Sequence, residues 1–290
     1  MTLISHQETM TFDIRGQQIQ MLFPSDIPYA QKFKQVHLDR PGYEYEAVLM
    51  ALLERVLKDQ DAPEFLDLGS FIGYHSVVAA KMAPKARVWA IESNPRFASV
   101  IEENFSLNGL ENARVVHTAL SDASETVRSI DNEVFAESSG AGTLLQAETG
   151  DAMCRRLGIK PTVAKMDVHG FEGKVIGGMK EVLAGPLQVL LLELHMNVYL
   201  EKYTPGITRM QILDALEAAG FRNYYLAGHR YSWSDGMQRF FETGRFAYQP
   251  LDRETRGMLL FDRHNTILVV STKSPLEDLI GPSILDPSLE

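Results

Sequence analysis

The chain has 290 residues, 45% of them hydrophobic and 23% charged, an ordinary composition for a soluble protein with one large core. Its formal charge of −10 argues against a general phosphate-backbone binder, because that affinity rests on Lys and Arg. The one cysteine, Cys154, excludes an intrachain disulfide framework, fits a reducing compartment, and lacks a CxxC or Cys/His partner, so it reads as a buried, inert thiol.

The first residues, Met-Thr-Leu-Ile-Ser-His-Gln-Glu, show no basic stretch followed by an apolar core. Apolar runs such as Val189 to Leu192 and Thr266 to Val270 are far too short to span a bilayer. The expectation is a cytoplasmic protein with no membrane partner.

Residues 10 to 23 alternate loosely around Arg15-Gly16-Gln17 and predict a β-hairpin with a glycine turn. Tyr43 to Lys58 carries Tyr45, Val48, Leu49, Leu52, Leu53, Val56 and Leu57 at i, i+3, i+4 spacing, an amphipathic helix started after Pro41-Gly42. From Glu64 onward short apolar strands alternate with helices. Strands are predicted at 65–68, 87–92, 113–119, 162–166, 188–193, 221–226 and 266–271, with helices at 74–82, 94–107, 174–183 and 207–219. Residues 123–150 break the pattern around a Ser/Gly-rich stretch, Ser138 to Thr143, which reads either as an acceptor loop or as a plain turn. Strand–helix alternation needs crossover connections, so the sheet should be mostly parallel, seven-stranded, and covered by helices on both faces. The last two strands have no long helix clearly between them, which permits an antiparallel pair at one edge. The segment from His229 to Arg263 holds Tyr231, Trp233, Phe240, Phe241, Phe246 and Tyr248, as a lid or as a small core of its own. The implied organisation is an N-terminal hairpin extension over 1–42, one α/β domain over 43–273, and a loose tail over 274–290.

The first strand of the alternating series meets its helix through Asp67-Leu68-Gly69-Ser70-Phe71-Ile72-Gly73. A turn there needs residues without Cβ for close approach, and the helix N-terminus offers unpaired N–H groups. Two glycines alone also suit any tight strand-to-helix turn. Glu92, followed by Ser93, ends the second strand, where a carboxylate can accept both ribose hydroxyls of an adenosine cofactor. The G-x-x-x-G spacing lacks the pyrophosphate cradle G-x-G-x-x-G of dinucleotide folds. An acidic site would favour a ligand bearing an ammonium and a sulfonium. These points favour S-adenosylmethionine over NAD. A second acidic cluster, Lys165-Met166-Asp167-Val168-His169-Gly170-Phe171-Glu172-Gly173, ends the fourth strand, and Glu193-Leu194-His195 ends the fifth.

The ordered series of these motifs resembles the FkbM-type family of S-adenosylmethionine-dependent methyltransferases. The resemblance runs from Phe65 through Ser76, Ile91 to Pro95, Glu103-Asn104, Leu107 to Gly109 and Ala119 to Asp122, then Lys165 to Glu172 and Leu192 to His195. It covers about half the chain and implies a class I methyltransferase (Rossmann-like) fold that methylates hydroxyls of sugars or natural products. Position by position, it implies that Gly69, Phe71 and Gly73 line the cofactor's amino-acid end and that Glu92 holds its ribose, with Asp67, Ser70 and Ser93 as further cofactor-binding candidates. Ser121 would lie near the adenine, and Asp167 near the methionine ammonium or the acceptor. The chain departs from the family at His169, where Glu is usual, and at Ser70-Phe71-Ile72, where Ala-Asn-x is usual; the first bears on acceptor chemistry.

A hydroxyl acceptor is a poor nucleophile, so a general base within reach would help. His169 is the favoured candidate, with His195 and Asp167 as alternatives, although a loop histidine can equally serve to hydrogen-bond backbone. Asp167-x-His169 with Glu193-x-His195 could also form a four-ligand metal site. That requires strand geometry to persist into the loop, and no metal is assigned. Three rivals stay open. An NAD-dependent oxidoreductase would share strand, turn and acid. A non-catalytic cofactor-binding protein would keep the fold. A nucleic-acid methyltransferase is weakened by the acidic balance and the lack of a basic run. The expected partner is a small-molecule acceptor, not nucleic acid; oligomeric state is not encoded legibly.

Overall fold

The computed structural model describes residues 7–39, 44–130, 133–135, 142–228, 235–252, 254–257 and 266–284. The chain opens with strands β1 (Gln7–Ile14) and β2 (Gln17–Pro24), antiparallel and joined by Arg15-Gly16, both at positive φ as a two-residue hairpin turn requires. Helix α1 (Pro28–Asp39) follows; its sparse apolar spacing gave no signal in the sequence. Helix α2 (Ala47–Lys58) begins four residues later than its periodicity predicts, after Glu46 adopts φ 53°.

The alternating series comes next: β3 (Glu64–Leu68), α3 (Tyr74–Met82), β4 (Arg87–Glu92), α4 (Pro95–Leu107) and β5 (Ala113–His117). Asn94 caps α4 by accepting from the Arg96 N–H at 2.8 Å, with Pro95 at the first helical position. The chain then builds a small sheet of β6 (Ala119–Ser121), β7 (Glu125–Ile130), β8 (Glu133–Phe135) and β9 (Thr143–Thr149), ordered β6-β9-β7-β8, and helix α5 (Gly150–Leu157). That sheet is where the sequence pattern broke; residues 138–141 of the expected acceptor loop lie outside the described residues.

The series resumes with β10 (Val163–Met166), α6 (Glu172–Gly177), α7 (Lys180–Ala184), β11 (Val189–His195), α8 (Asn197–Tyr203), α9 (Arg209–Ala218) and β12 (Arg222–Leu226). The single helix expected over 174–183 is two. The chain breaks at Gly178, where a Cβ would sit 2.0 Å from the Ser121 carbonyl oxygen, so backbone contact takes precedence over helix continuity. Helix α10 (Asp235–Thr243), β13 (Tyr248–Pro250), β14 (Thr266–Thr272) and α11 (Leu276–Ile280) complete the chain.

The main sheet has the order β13-β12-β14-β11-β10-β3-β4-β5. The five strands from β11 to β5 are parallel to their neighbours, and β14 runs antiparallel between β11 and β12. The seven expected strands are all present, and short β13 adds an eighth at the edge. Period-two alternation divides the core. Phe65, Val163, Leu191 and Val270 face one side, with the hairpin and α2 to α4. Leu66, Ala164, Leu190 and Val269 face the other, with α5 to α9.

Two expectations about the chain ends are corrected by this packing. The hairpin buries Ile14, Ile19, Met21 and Phe23 in the same cluster as α2 and α3, so it is part of the core and no appendage. The loose tail expected from Ser274 is overturned over Leu276–Ile280, where α11 buries Leu276 and Ile280 and Arg55 Nε donates to the Leu279 carbonyl at 2.8 Å; residues 285–290 lie outside the described residues. Cys154 is buried. Burial, with Asp151 and Glu148 adding to it, pushes its thiol up to about 12, in keeping with an inert side chain. Among the described residues, no helix is long and apolar enough to cross a membrane.

Candidate active site

After β5 the chain returns to place β10 beside β3, opposite β4. The crevice at the carboxyl ends of β3, β4 and β10 is therefore the topological switch point where ligands bind in such sheets. A cavity of about 300 Å³ occupies it.

The floor of that cavity is the turn after β3. Gly69 at φ +81° brings the backbone so close to the β10 loop that a Cβ would lie 2.0 Å from the Asp167 carbonyl oxygen. The Asp167 N–H donates to the Leu68 carbonyl at 3.0 Å, closing the junction. Phe71, at φ 54°, turns its N–H onto Glu92 Oε2 at 2.9 Å. The other carboxylate oxygen accepts from the Asn94 N–H at 2.8 Å. Burial raises the Glu92 carboxyl to about 7, and the N–H groups of Asn94, Phe71 and Ser93 hold it from going higher.

Of the residues the sequence singled out, Gly69, Ser70, Phe71, Glu92, Ser93, Asp167 and His169 line the cavity. Asp67, Gly73, Ser121 and His195 do not. Asp67 is fully buried behind the loop, accepting from Ser76 Oγ at 2.6 Å and standing 3.7 Å from Lys165 Nζ. Gly73 starts α3 at φ +81° against Ile101, where its lack of a side chain serves packing. Ser121 turns away and donates to Glu125, leaving Thr118, Ala119 and Leu120 to form the wall. His195 stands behind Asp167, its Nε2 4.0 Å from Asp167 Oδ1.

Several lining residues escaped sequence reasoning. Tyr29, Lys32, Phe33 and Val36 on α1 and Tyr45 before α2 cover the cavity, with Phe33 stacked edgewise on Tyr45 and Tyr74 at 4.8 and 5.1 Å. The cover expected from the 229–263 segment does not arise from its described residues. Phe246 is buried in the main core with Phe240 against it, Tyr248 packs on Tyr224, and Phe241 is 62% exposed; Tyr231 and Trp233 lie outside the described residues. His75 lines the cavity with Nε2 2.8 Å from Glu46 Oε2. Lys165 was legible in principle. Alternation along β10 puts it on the same face as Asp167, and its strand partner is Asp67. Burial works against its charge, but Asp67, Asp167, Glu193 and Glu46 outweigh it and the ammonium is held above its ordinary range.

The β10 loop carries the remaining polar groups. His169 sits at φ 52°, 38% exposed, with Nε2 3.8 Å from Asp167 Oδ1. His195 is buried, and its Nδ1 lies 2.8 Å from Glu172 Oε1, which also accepts from the Gly170 N–H at 3.0 Å. Burial lowers the His195 pKa, yet Glu172, Asp167 and Glu193 more than compensate and the net shift is upward.

A parallel sheet with this strand order, its one antiparallel insertion at β14, and a cavity at the switch point define the class I methyltransferase fold, Rossmann-like in its core. No family model matches the chain. The chain is 31% identical over 103 residues to the probable cobalt-precorrin-6B C(15)-methyltransferase (decarboxylating) of Methanosarcina mazei; the match covers 34% of this chain and 55% of that protein, so the chain spans about half the length of this curated relative. Among solved structures, it is similar to an S-adenosylmethionine-dependent methyltransferase from Agrobacterium tumefaciens (13% identity, 92% of this chain and 71% of that one, TM-score 0.49). It is also similar to the methyltransferase FkbM from Methylobacillus flagellatus KT (15% identity, 73% and 44%, TM-score 0.44).

Proposed function

We propose that the chain is an S-adenosylmethionine-dependent methyltransferase of the FkbM type that methylates a hydroxyl of a sugar or natural-product acceptor. The observation that carries this reading is Glu92, a carboxylate at the end of the strand next to the glycine turn, inside the cavity, with each oxygen already oriented by a backbone N–H. Its remaining lone pairs suit a vicinal diol, as a ribose presents. Ile91, Phe97 and Leu120 give the cavity apolar lining, as a purine ring would need, and Lys165 and Asp167 give it a charged pair. That charge pattern fits a zwitterionic amino-acid tail. The turn offers no pyrophosphate cradle, which disfavours NAD.

The cofactor would supply an electrophilic methyl group on a sulfonium. The protein's part is to align an acceptor oxygen with it and to keep water out, since alignment accounts for much of such a rate. The α1 residues Tyr29 and Phe33 and loop residue Val168 wall that space. His169 lines the cavity beside Asp167 and, with no metal bound, would serve as the general base that takes the acceptor's proton. His195 and Glu172 orient the Asp167 side of the loop from behind.

Calorimetric titration with S-adenosylhomocysteine, with NADH in parallel, tests the reading. Micromolar binding that disappears in Glu92→Ala is expected; binding of NADH instead, or of neither, would overturn it.

A further inference from the structure

Asp167, His169 and His195 each offer one ligand atom, and the three atoms lie within 4.8 Å of one another. We propose that these three side chains bind one divalent first-row transition-metal ion, with its open coordination positions facing the cavity. Only the metal's use, to hold and acidify an acceptor hydroxyl, rests on the methyltransferase reading; the binding claim does not.

His195 makes the strongest case. Its side chain is 6% exposed, and its Nδ1 is fixed by Glu172 at 2.8 Å. Its Nε2 stands 4.0 Å from Asp167 Oδ1. A carboxylate behind the distal nitrogen, itself anchored by the Gly170 N–H, is the outer-shell arrangement that fixes a ligating histidine's tautomer and ring plane.

The other two ligands approach from one loop. Asp167 ends β10, and the left-handed backbone at His169 swings its ring back so that Nε2 comes to 3.8 Å from Asp167 Oδ1. Around a metal with bonds of about 2.1 Å, neighbouring ligand atoms stand about 3.0–3.4 Å apart. The Asp167–His169 and Asp167–His195 separations of 3.8 and 4.0 Å need contractions of about 0.4–1.0 Å, and the two imidazoles, within 4.8 Å, a somewhat larger one, which rotation of the Asp167 carboxylate and the half-exposed His169 ring supplies. Charge points the same way: Asp67, Asp167, Glu172 and Glu193 gather around the site, with Lys165 as the cation among them. Two imidazoles and one carboxylate suit a transition metal better than Mg²⁺ or Ca²⁺, which prefer oxygen ligands. Glu193 is not in the set, so the four-ligand version conceivable from sequence reduces to three, which leaves positions open. Those positions face a cavity lined by Asp167 and His169 themselves, where a bound hydroxyl would have its pKa lowered.

The test uses the full chain, stripped with chelator and then titrated with Zn²⁺ by calorimetry and with Co²⁺ by visible absorption. One saturable site per chain is expected. His169→Gln and His195→Gln should each weaken it at least tenfold, and Glu172→Gln, which touches no ligand position, by tenfold to a hundredfold. The exposed position of His169 keeps that variant informative if the buried ones misfold. No saturable binding, or binding unchanged in His169→Gln and His195→Gln as surface histidines alone would give, would overturn the site. Titrating the stripped protein with S-adenosylhomocysteine separates the two readings: cofactor without metal rejects the site alone, and metal without cofactor rejects the methyltransferase reading alone.

Discussion

Glu92 sets function against stability, and the conflict has a measurable pH signature. Burial raises its carboxyl from 4.5 to about 7 in the folded protein. In the unfolded chain it ionises near its ordinary value, so between about pH 4.5 and pH 7 unfolding releases a proton. The raised pKa therefore favours the fold fully below about pH 4.5, and the contribution is lost as pH rises through about 7. A shift of about 2.5 units corresponds to about 3 kcal/mol. Glu92→Gln removes the titration while sacrificing one of the two acceptors that face the Phe71 and Asn94 N–H groups, a fixed cost of about 1–3 kcal/mol. Urea unfolding of both proteins from about pH 5 to about pH 8 should show the variant gaining on the wild type by most of that 3 kcal/mol, then levelling off. S-adenosylhomocysteine affinity should move the other way. It strengthens in the wild type as the carboxylate forms near pH 7, and stays weak and flat in the variant. A stability difference independent of pH would refute the argument that Glu92 is desolvated in the free protein.

Gly69→Ala adds a Cβ against the Asp167 carbonyl at φ +81°, so a loss of at least about 3 kcal/mol is expected in chemical denaturation. Asn104→Leu should cost about 2–5 kcal/mol, because the buried Asn104 amide accepts from the Leu22 N–H at 2.7 Å and donates to the Ile72 carbonyl at 2.8 Å; a smaller effect would mean that water replaces it. Phe33→Ala leaves the main sheet untouched but opens the α1 wall and removes ring contacts with Phe23, Tyr45 and Tyr74, so the melting temperature should fall while the S-adenosylhomocysteine dissociation constant changes little; a large rise in that constant would mean that the cofactor itself reaches α1.

The alternating strands and the switch-point turn were legible because periodicity and glycine placement are local signals. Glu92 and Gly69 lie where that reading places them. The misplacements share a cause. Asp67, Gly73 and Ser121 sit within a residue or two of cavity-lining positions, and their true partners (Ser76, Ile101, Glu125) are fixed only by how helices settle on the sheet. The α1 cover is a tertiary fact, because a helix whose apolar residues face a cavity carries no strong stripe. Lys165 was within reach, since a charged residue inside an otherwise apolar strand needs buried partners.

The contact between Gly69 and the Asp167 carbonyl has a consequence for how this site can change. The two loops meet with the Gly69 backbone against the Asp167 backbone and the Val168 side chain alongside, so their spacing is set largely by main chain. Substitutions at His169 can thus alter what the β10 loop presents to the cavity without altering that spacing. Diversification is channelled into that side chain, and the main-chain joint beneath it serves as a fixed datum for the cavity wall.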